Sequence, residues 1–288
     1  MSNSNLKIYT PESSVRKPGN LIRDMITDIK LSKELAFALA KRDISAMFRQ
    51  SILGYVWAFL PVIATTGVFL FLRSGGAFTT GGSEIPSPVY VLVGTIIWQI
   101  FVDSVNGPLK VVNSSRAMIV KINFPREALI LAAVLITLFN FLIRLIILIP
   151  ALIFFANQGI YEFTPESLVY FPLGVAGIVI LGYSIGLLLT PVGMLYKDVQ
   201  MGIQMIMMFW MFISPVVITI PESGFVAKVM TLNPVTPVLD SARSWLLGIK
   251  PEFLNEYIIV ISFSLFLVLF GWFLYRVALP HVISRLGM

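Results

Sequence analysis

Apolar residues collect into six runs along the chain: Gly54–Leu72, Pro88–Val105, Ala128–Ala156, Leu168–Leu195, Gly202–Ile220 and Tyr257–Leu279. About 20 mostly apolar residues suffice for a helix to cross bilayer hydrocarbon, so each run predicts a transmembrane span. The second is the least apolar, because it holds Gln99 and Asp103. The third and fourth are long enough to tilt or kink, and Pro150, Pro172 and Pro191 offer places for that. Ahead of the first run the pattern takes a helical period. Within Leu31–Arg49, residues Phe37, Ala40, Ile44, Met47 and Phe48 share one face, and Leu35, Leu39 and Ala46 widen it. Glu34, Lys41, Arg42, Ser45 and Arg49 gather opposite, while Lys33 and Asp43 break the pattern. Such a helix lies in the membrane surface, and here it runs without a linker into the first span.

The connections differ from side to side. Arg73–Ser87 is rich in Gly, Ser and Thr and reads as a surface turn. After span five the segment 221–256 opens with Pro221-Glu222-Ser223-Gly224 and carries two apolar patches, Phe225–Leu232 and Val238–Leu247. Each is too short to span. Asn233 precedes Pro234, which disfavours helix there, so two short helices dipping into the outer leaflet are expected. The fold class is therefore an all-α polytopic membrane protein. It has six transmembrane helices, an N-terminal interfacial amphipathic helix, and short outer re-entrant helices between spans five and six. Residues 1–30 form a polar N-terminal extension with disorder as its plain account, and residues 31–288 form the transmembrane domain.

Composition agrees. The chain has 288 residues, 57% of them hydrophobic and 12% charged, with mean hydropathy +0.87, against about 25% charged in soluble domains. No early apolar stretch precedes the first span, so no cleavable signal peptide is expected. Of the 21 Lys and Arg residues, 16 fall in the N-terminal segment, the loop after span two, at Lys197 and in the C-terminal tail. Only Arg73, Lys228, Arg243 and Lys250 fall on the other side, and Arg144 lies inside span three. Loop cations remain inside, which places both termini in the cytoplasm. The positive charge thus follows membrane topology, and nucleic acid is not an expected partner.

Several chemistries are excluded. Cysteine is absent and His281 is the sole histidine, so thiolate and histidine-rich metal sites and a Ser/His/Asp set have no basis. No G-x-x-x-x-G-K-S/T phosphate loop occurs. Within the spans the only charges are Asp103 and Arg144. Asp103 reads as a solvated residue near the inner end of span two, and Arg144 as a snorkelling or structurally paired cation in the outer half of span three. A secondary carrier or a membrane-embedded glycan-modifying enzyme would need buried carboxylates or a histidine in a water-filled pocket. The energy for any transport must come from outside the chain.

Three sets of residues invite function. In the loop 106–127, Asn113-Ser114-Ser115 offers helix caps, Arg116, Lys121 and Arg126 present cations, and Asn123-Phe124-Pro125 stops a helix. The loop reads equally as a docking knob and as an ordinary cytoplasmic basic loop. Span one holds Tyr55, Trp57, Phe59, Phe69 and Phe71; span five holds Phe209, Trp210 and Phe212 among methionines. Aromatic faces stack on the apolar side of sugar rings and methionine adapts to irregular shapes, which suits a sliding polymer, although lipid-facing bulk and interfacial belts use the same residues. Tyr55, Phe59, Phe209 and Phe212 are the candidate lining. Gly182 and Gly186 permit close helix packing, read as packing within the chain, and Gln200 and Gln204 sit one turn apart, where they suit hydrogen bonds either across a dimer seam or to sugar hydroxyls.

In order along the chain, six short stretches resemble one family. They are Leu39-Ala40-Lys41-Arg42-Asp43-Ile44, Gly54-Tyr55-Val56-Trp57-Ala58-Phe59-Leu60-Pro61, Pro88-Val89-Tyr90-Val91-Leu92-Val93-Gly94 with Trp98, Asn123-Phe124-Pro125-Arg126-Glu127, Tyr196-Lys197-Asp198-Val199 and Asn233-Pro234-Val235-Thr236-Pro237. The family is the membrane subunit of type-2 ABC exporters, and its closest branch exports O-antigen, capsule or teichoic acid polysaccharide. The resemblance implies a homodimer in the bacterial cytoplasmic (inner) membrane, bound by two ABC ATPase subunits. Those subunits carry ATP and Mg, with no cofactor in this chain. The implied cargo is an undecaprenyl-linked polysaccharide, with teichoic acid or a small lipid or drug as the alternative. The resemblance also makes Asn113, Ser114, Arg116, Lys121 and Phe124, with Lys41 and Arg42, the ATPase-coupling residues, and it lines the path with spans one and five.

Overall fold

The computed structural model describes residues 18–49, 56–74, 87–159 and 164–286. These residues are helical with no strand among them. In chain order the helices are α1 Pro18–Leu31, α2 Lys33–Arg49, α3 Val56–Ser74, α4 Ser87–Ser114, α5 Arg116–Lys121 and α6 Glu127–Asn157. Then follow α7 Ser167–Leu195, α8 Lys197–Trp210, a 3₁₀ turn Met211–Ile213, α9 Phe225–Leu232, α10 Val235–Leu246 and α11 Leu254–Leu286. Four helices are long and apolar enough to cross a membrane: Pro88–Ser114, Glu127–Asn157, Ser167–Leu195 and Leu254–Val282. These correspond to the expected spans two, three, four and six. The first expected span appears as the 19-residue α3. The fifth appears as the 14-residue α8, about 21 Å long at 1.5 Å per residue, followed by irregular backbone.

Helices α4 and α7 form the centre. The most apolar stretch of α4 is 78% buried, whereas that of α11 is 17% buried and faces outward. Small residues let the central pair approach closely. A Cβ on Gly182 would lie 2.4 Å from the Ser104 Cβ, and one on Gly186 would lie 2.5 Å from the Val105 carbonyl oxygen. The pair of glycines therefore packs α7 on α4 within the chain, as the sequence reading has it. Helix α4 also runs nine residues beyond the expected end at Val105, to Ser114. Its continuing apolar face, Leu109, Val111 and Val112, is buried and carries the helix into what reads as loop.

On the side where the termini lie, α2 uses a different edge from the one the periodicity selects. Ala36, Leu39 and Ala40 are buried, with α2 packed on α6, while Phe37 is 64% exposed and Met47 is exposed too. Small residues admit close packing, so they win the protein-facing edge, and the bulky members of the stripe are left facing outward. The polar extension contains helix α1. Its Asp28 is buried and paired with Arg276 of α11 at 2.8 Å. The same guanidinium also pairs with Glu127 at the start of α6. One arginine thus joins α1, α6 and α11.

Candidate functional site

Two neighbouring cavities that share lining residues form a groove along one flank of the molecule. The part nearer the inner end of α4, about 540 Å³, lies between α2, α4, α6 and α8. It is lined by Asp43, Ala46, Met47, Val102, Asp103, Asn106, Gly107, Lys110, Val111, Ser114, Ile136, Thr137, Asn140, Gln200 and Gln204. The outer part, about 490 Å³, lies between α3, α4 and α8. It is lined by Ala64, Thr65, Val68, Trp98, Gln99, Val102, Asn106, Gln204, Met207, Met208, Met211 and Phe212. Val102, Asn106 and Gln204 border both parts, so the groove passes from a polar region to an apolar, methionine-rich one.

The two intramembrane charges meet beside it. Arg144 Nη1 lies 2.7 Å from Asp103 Oδ2, with side chains 10% and 25% exposed respectively. Asn140 Nδ2 donates to the same oxygen at 3.0 Å. This corrects the reading of Asp103 as a solvated helix end. Because α4 extends to Ser114, Asp103 lies about 24 Å from its outer end and about 16 Å from its inner end. At that depth a carboxylate needs a partner, and Arg144 is the paired cation.

Beyond Trp210 the backbone leaves the helix, and two side chains of the outer segment hold it. Asn233 accepts from Trp210 Nε1 (3.0 Å) and from the Val235 amide (3.1 Å), and donates to the Ile213 carbonyl (3.0 Å) and to Ser214 Oγ (2.8 Å). Arg243 of α10 donates from Nη2 to the Pro215 (2.6 Å) and Val216 (3.1 Å) carbonyls and lies 3.6 Å over the Tyr90 ring. Tyr90 Oη also donates to the Pro215 carbonyl at 3.1 Å. Irregular backbone at membrane depth persists only where its polar groups are paired, and these side chains supply the pairing. Arg243 is therefore a buried structural cation, 1% exposed, not the surface loop charge of the sequence reading. The segment it holds begins with Met211 and Phe212, which line the groove. The expected break at Asn233-Pro234 does separate α9 from α10.

The residues expected from the sequence to couple to an ATPase lie on and beside α5 and on α2. Asn113 and Ser114 are the end of α4 and do not cap α5; Ser115 stands at the cap position without a side-chain cap bond. Their side chains turn elsewhere. Asn113 Nδ2 donates to Gln200 Oε1 of α8 (3.2 Å), Ser114 Oγ to Asp43 of α2 (2.9 Å), and Arg42 Nη2 to Ser115 Oγ (2.9 Å). Arg42 also pairs with Asp43 at 2.7 Å. Helix α2 and the junction of α4 with α5 are thus joined directly. Lys41, Arg42 and Lys121 are exposed, Arg116 is half-buried, and Phe124 is half-buried against the core. Val120 and Ile122 stand exposed beside Lys121. Next to this region Arg126 is half-buried, and burial lowers the affinity of its guanidinium for protons.

Comparison with known proteins agrees with this architecture. The model of the ABC-2 type transporter family matches residues 34–247. The chain belongs to that family. It is also 23% identical over 224 residues to the O-antigen export system permease protein RfbA of Myxococcus xanthus, covering 76% of this chain and 83% of that protein. This ABC-2 chain is accordingly a multi-pass membrane transport subunit. Both Asp28 and Arg276 of the buried cluster lie outside the matched residues.

Of the aromatic candidates, Phe212 lines the outer groove, Phe209 is exposed outside its lining, and Phe59 is half-buried on α3, also outside it. Tyr55 lies outside the described residues. The groove residues that sequence reasoning passed over are the polar ones of α4. Gln99, Asp103, Asn106 and Lys110 follow the helical spacing i, i+4, i+7 and i+11, a stripe that was available in the sequence.

Proposed function

We propose that this chain is the membrane permease subunit of an ATP-driven exporter that moves lipid-linked polysaccharide across the bacterial cytoplasmic membrane. The observation that carries the reading is the groove, polar toward the coupling loop and lined farther out by Trp98, Met207, Met208, Met211 and Phe212. Such a surface accepts sugar rings on both their hydroxyl edges and their apolar faces, and methionine imposes no single linkage. Similarity to an O-antigen export permease supports the same class of cargo. Two copies of the chain would enclose the groove, and two separate ATPase subunits would dock on α5 and α2, where Lys41, Arg42, Arg116 and Lys121 gather. Arg42–Ser115 and Ser114–Asp43 make those elements a single contact surface. Both termini then lie in the cytoplasm, as the distribution of Lys and Arg favours.

The test is ATP hydrolysis by the protein co-reconstituted in proteoliposomes with its ATPase. Lipid-linked glycan should stimulate turnover above the lipid-only rate. Stimulation by short-chain lipids or small amphiphiles, and none by glycan, would reject the reading in favour of a small-lipid or drug exporter.

A further inference from the structure

We infer that the polar stripe of α4 is a hydroxyl-reading track in the groove, with Asp103 as its anchor and a sugar diol as its ligand. The inference rests on the glycan-exporter reading above and names the place in that path where sugar is recognised. Gln99, Asp103, Asn106 and Lys110 fall within about 60° of one another on an ideal helix. They line the groove from its outer part to its mouth near the coupling loop. Across from them α8 presents Gln200 and Gln204, again one turn apart. Polar groups are costly in a membrane helix, and all four stay outside the fully buried core of α4.

Asp103 is arranged as an acceptor with one oxygen in reserve. Its Oδ2 is ion-paired with Arg144 and accepts a hydrogen bond from Asn140, while Oδ1 accepts from neither and the side chain borders the groove. Asn106 is similar. Its Nδ2 donates to the Val102 carbonyl at 2.9 Å, which orients the amide and leaves its Oδ1 as an acceptor one turn from Asp103. Two acceptors at that spacing, facing the glutamine amides of α8, match neighbouring hydroxyls that each donate and accept. The carboxylate makes the stronger, charge-assisted contact. The apolar outer part then lets the chain slide, so selection and passage occupy different parts of the groove.

The experiment measures glycan-stimulated ATP hydrolysis by the co-reconstituted complex, with purified lipid-linked glycan as the probe. The concentration for half-maximal stimulation and the maximal rate are read separately. Asp103→Asn alone would strand Arg144, so the decisive variant is Asp103→Asn with Arg144→Gln, which removes both charges. If Asp103 reads sugar, that double variant needs roughly tenfold or more glycan for half-maximal stimulation, and Asn106→Leu needs about threefold to tenfold more. Ser262→Ala, on the exposed face of α11, leaves the value unchanged. A double variant within about twofold of wild type would overturn the inference, because Asp103 would then only neutralise Arg144. Should the double variant fail to insert, Asn106→Leu and Gln204→Leu decide in the same way. A wild-type complex with no response to glycan rejects the exporter reading itself, and the track with it.

Discussion

The buried Arg243 makes the sharpest stability prediction, because its environment reverses the usual ranking of substitutions. Its guanidinium makes two hydrogen bonds to carbonyls and stacks on Tyr90, and no carboxylate lies within ion-pair distance of it among the described residues. Each charged hydrogen bond is worth about 1.5–3 kcal/mol, and a desolvated cation–π contact about 2 kcal/mol. Burying the cation costs several kcal/mol, so these terms largely cancel. The cost of Arg243→Met is then set by what is left behind. Pro215 keeps the Tyr90 hydroxyl as a donor, whereas the Val216 carbonyl is orphaned at about 1–3 kcal/mol. Arg243→Lys retains a buried charge that is more strongly hydrated, and it loses the flat guanidinium that lies on the Tyr90 ring while one of its nitrogens donates to both carbonyls. The expected order of stability is wild type, then Met, then Lys. Thermal unfolding in detergent, followed by the fluorescence of the five tryptophans, should place Met about 2–12 °C below wild type, at about 2–4 °C per kcal/mol. Lys melting above Met, or Met melting level with wild type, would refute the argument that the guanidinium serves the irregular backbone.

Four further outcomes follow from the same structure. Gly186→Val drives a side chain into the Val105 carbonyl, 2.5 Å from the added Cβ, and should lower the yield of folded protein in size-exclusion chromatography, whereas Gly202→Ala, with open space around it, should not. Asp28→Ala removes the α1 partner of Arg276 but leaves Glu127 in place. Hydrogen exchange should therefore speed up in α1 by about tenfold or more and stay unchanged in α7. Lys41→Glu should reduce ATPase coupling without loss of membrane insertion, and lost insertion in a flotation assay would return α2 to the role of lipid anchor. Burial raises the carboxyl affinity of Asp240 for protons above the ordinary range, so the folded state binds the proton more tightly than the unfolded one. Stability from this group is then greatest below the ordinary carboxylate range and falls as pH rises through the raised folded value. Acidification from neutral should stabilise wild type more than Asp240→Asn in parallel melts.

Much of the architecture was legible because it follows from period and length. Long apolar runs marked the four long helices, and Asn233-Pro234 marked the break between α9 and α10. Near the ends the same rules gave way to packing. Hydropathy fades after Val105, yet α4 continues to Ser114 because Leu109, Val111 and Val112 find a core. Span five was read through to Ile220, but its helix stops at Trp210. The side chains that replace its backbone hydrogen bonds, Asn233 and Arg243, come from 20 or more residues away. No local window can register that.

The groove exposes a different limit. Averaged along the sequence, Gln99 and Asp103 only weaken span two, and Asn106 and Lys110 look like loop. Taken by angle around one continuous helix, the four are a single polar face opposite Gln200 and Gln204. The aromatic candidates follow from composition, and of those among the described residues only Phe212 borders the groove. The reason is physical: an apolar residue in a membrane protein satisfies lipid, core or path equally well, so its presence discriminates nothing. A polar residue in the same helix is tolerated in few places, so its angular position carries information about the path. For this chain, the residues that depress the hydropathy of a span are therefore better guides to where cargo passes than the residues that raise it.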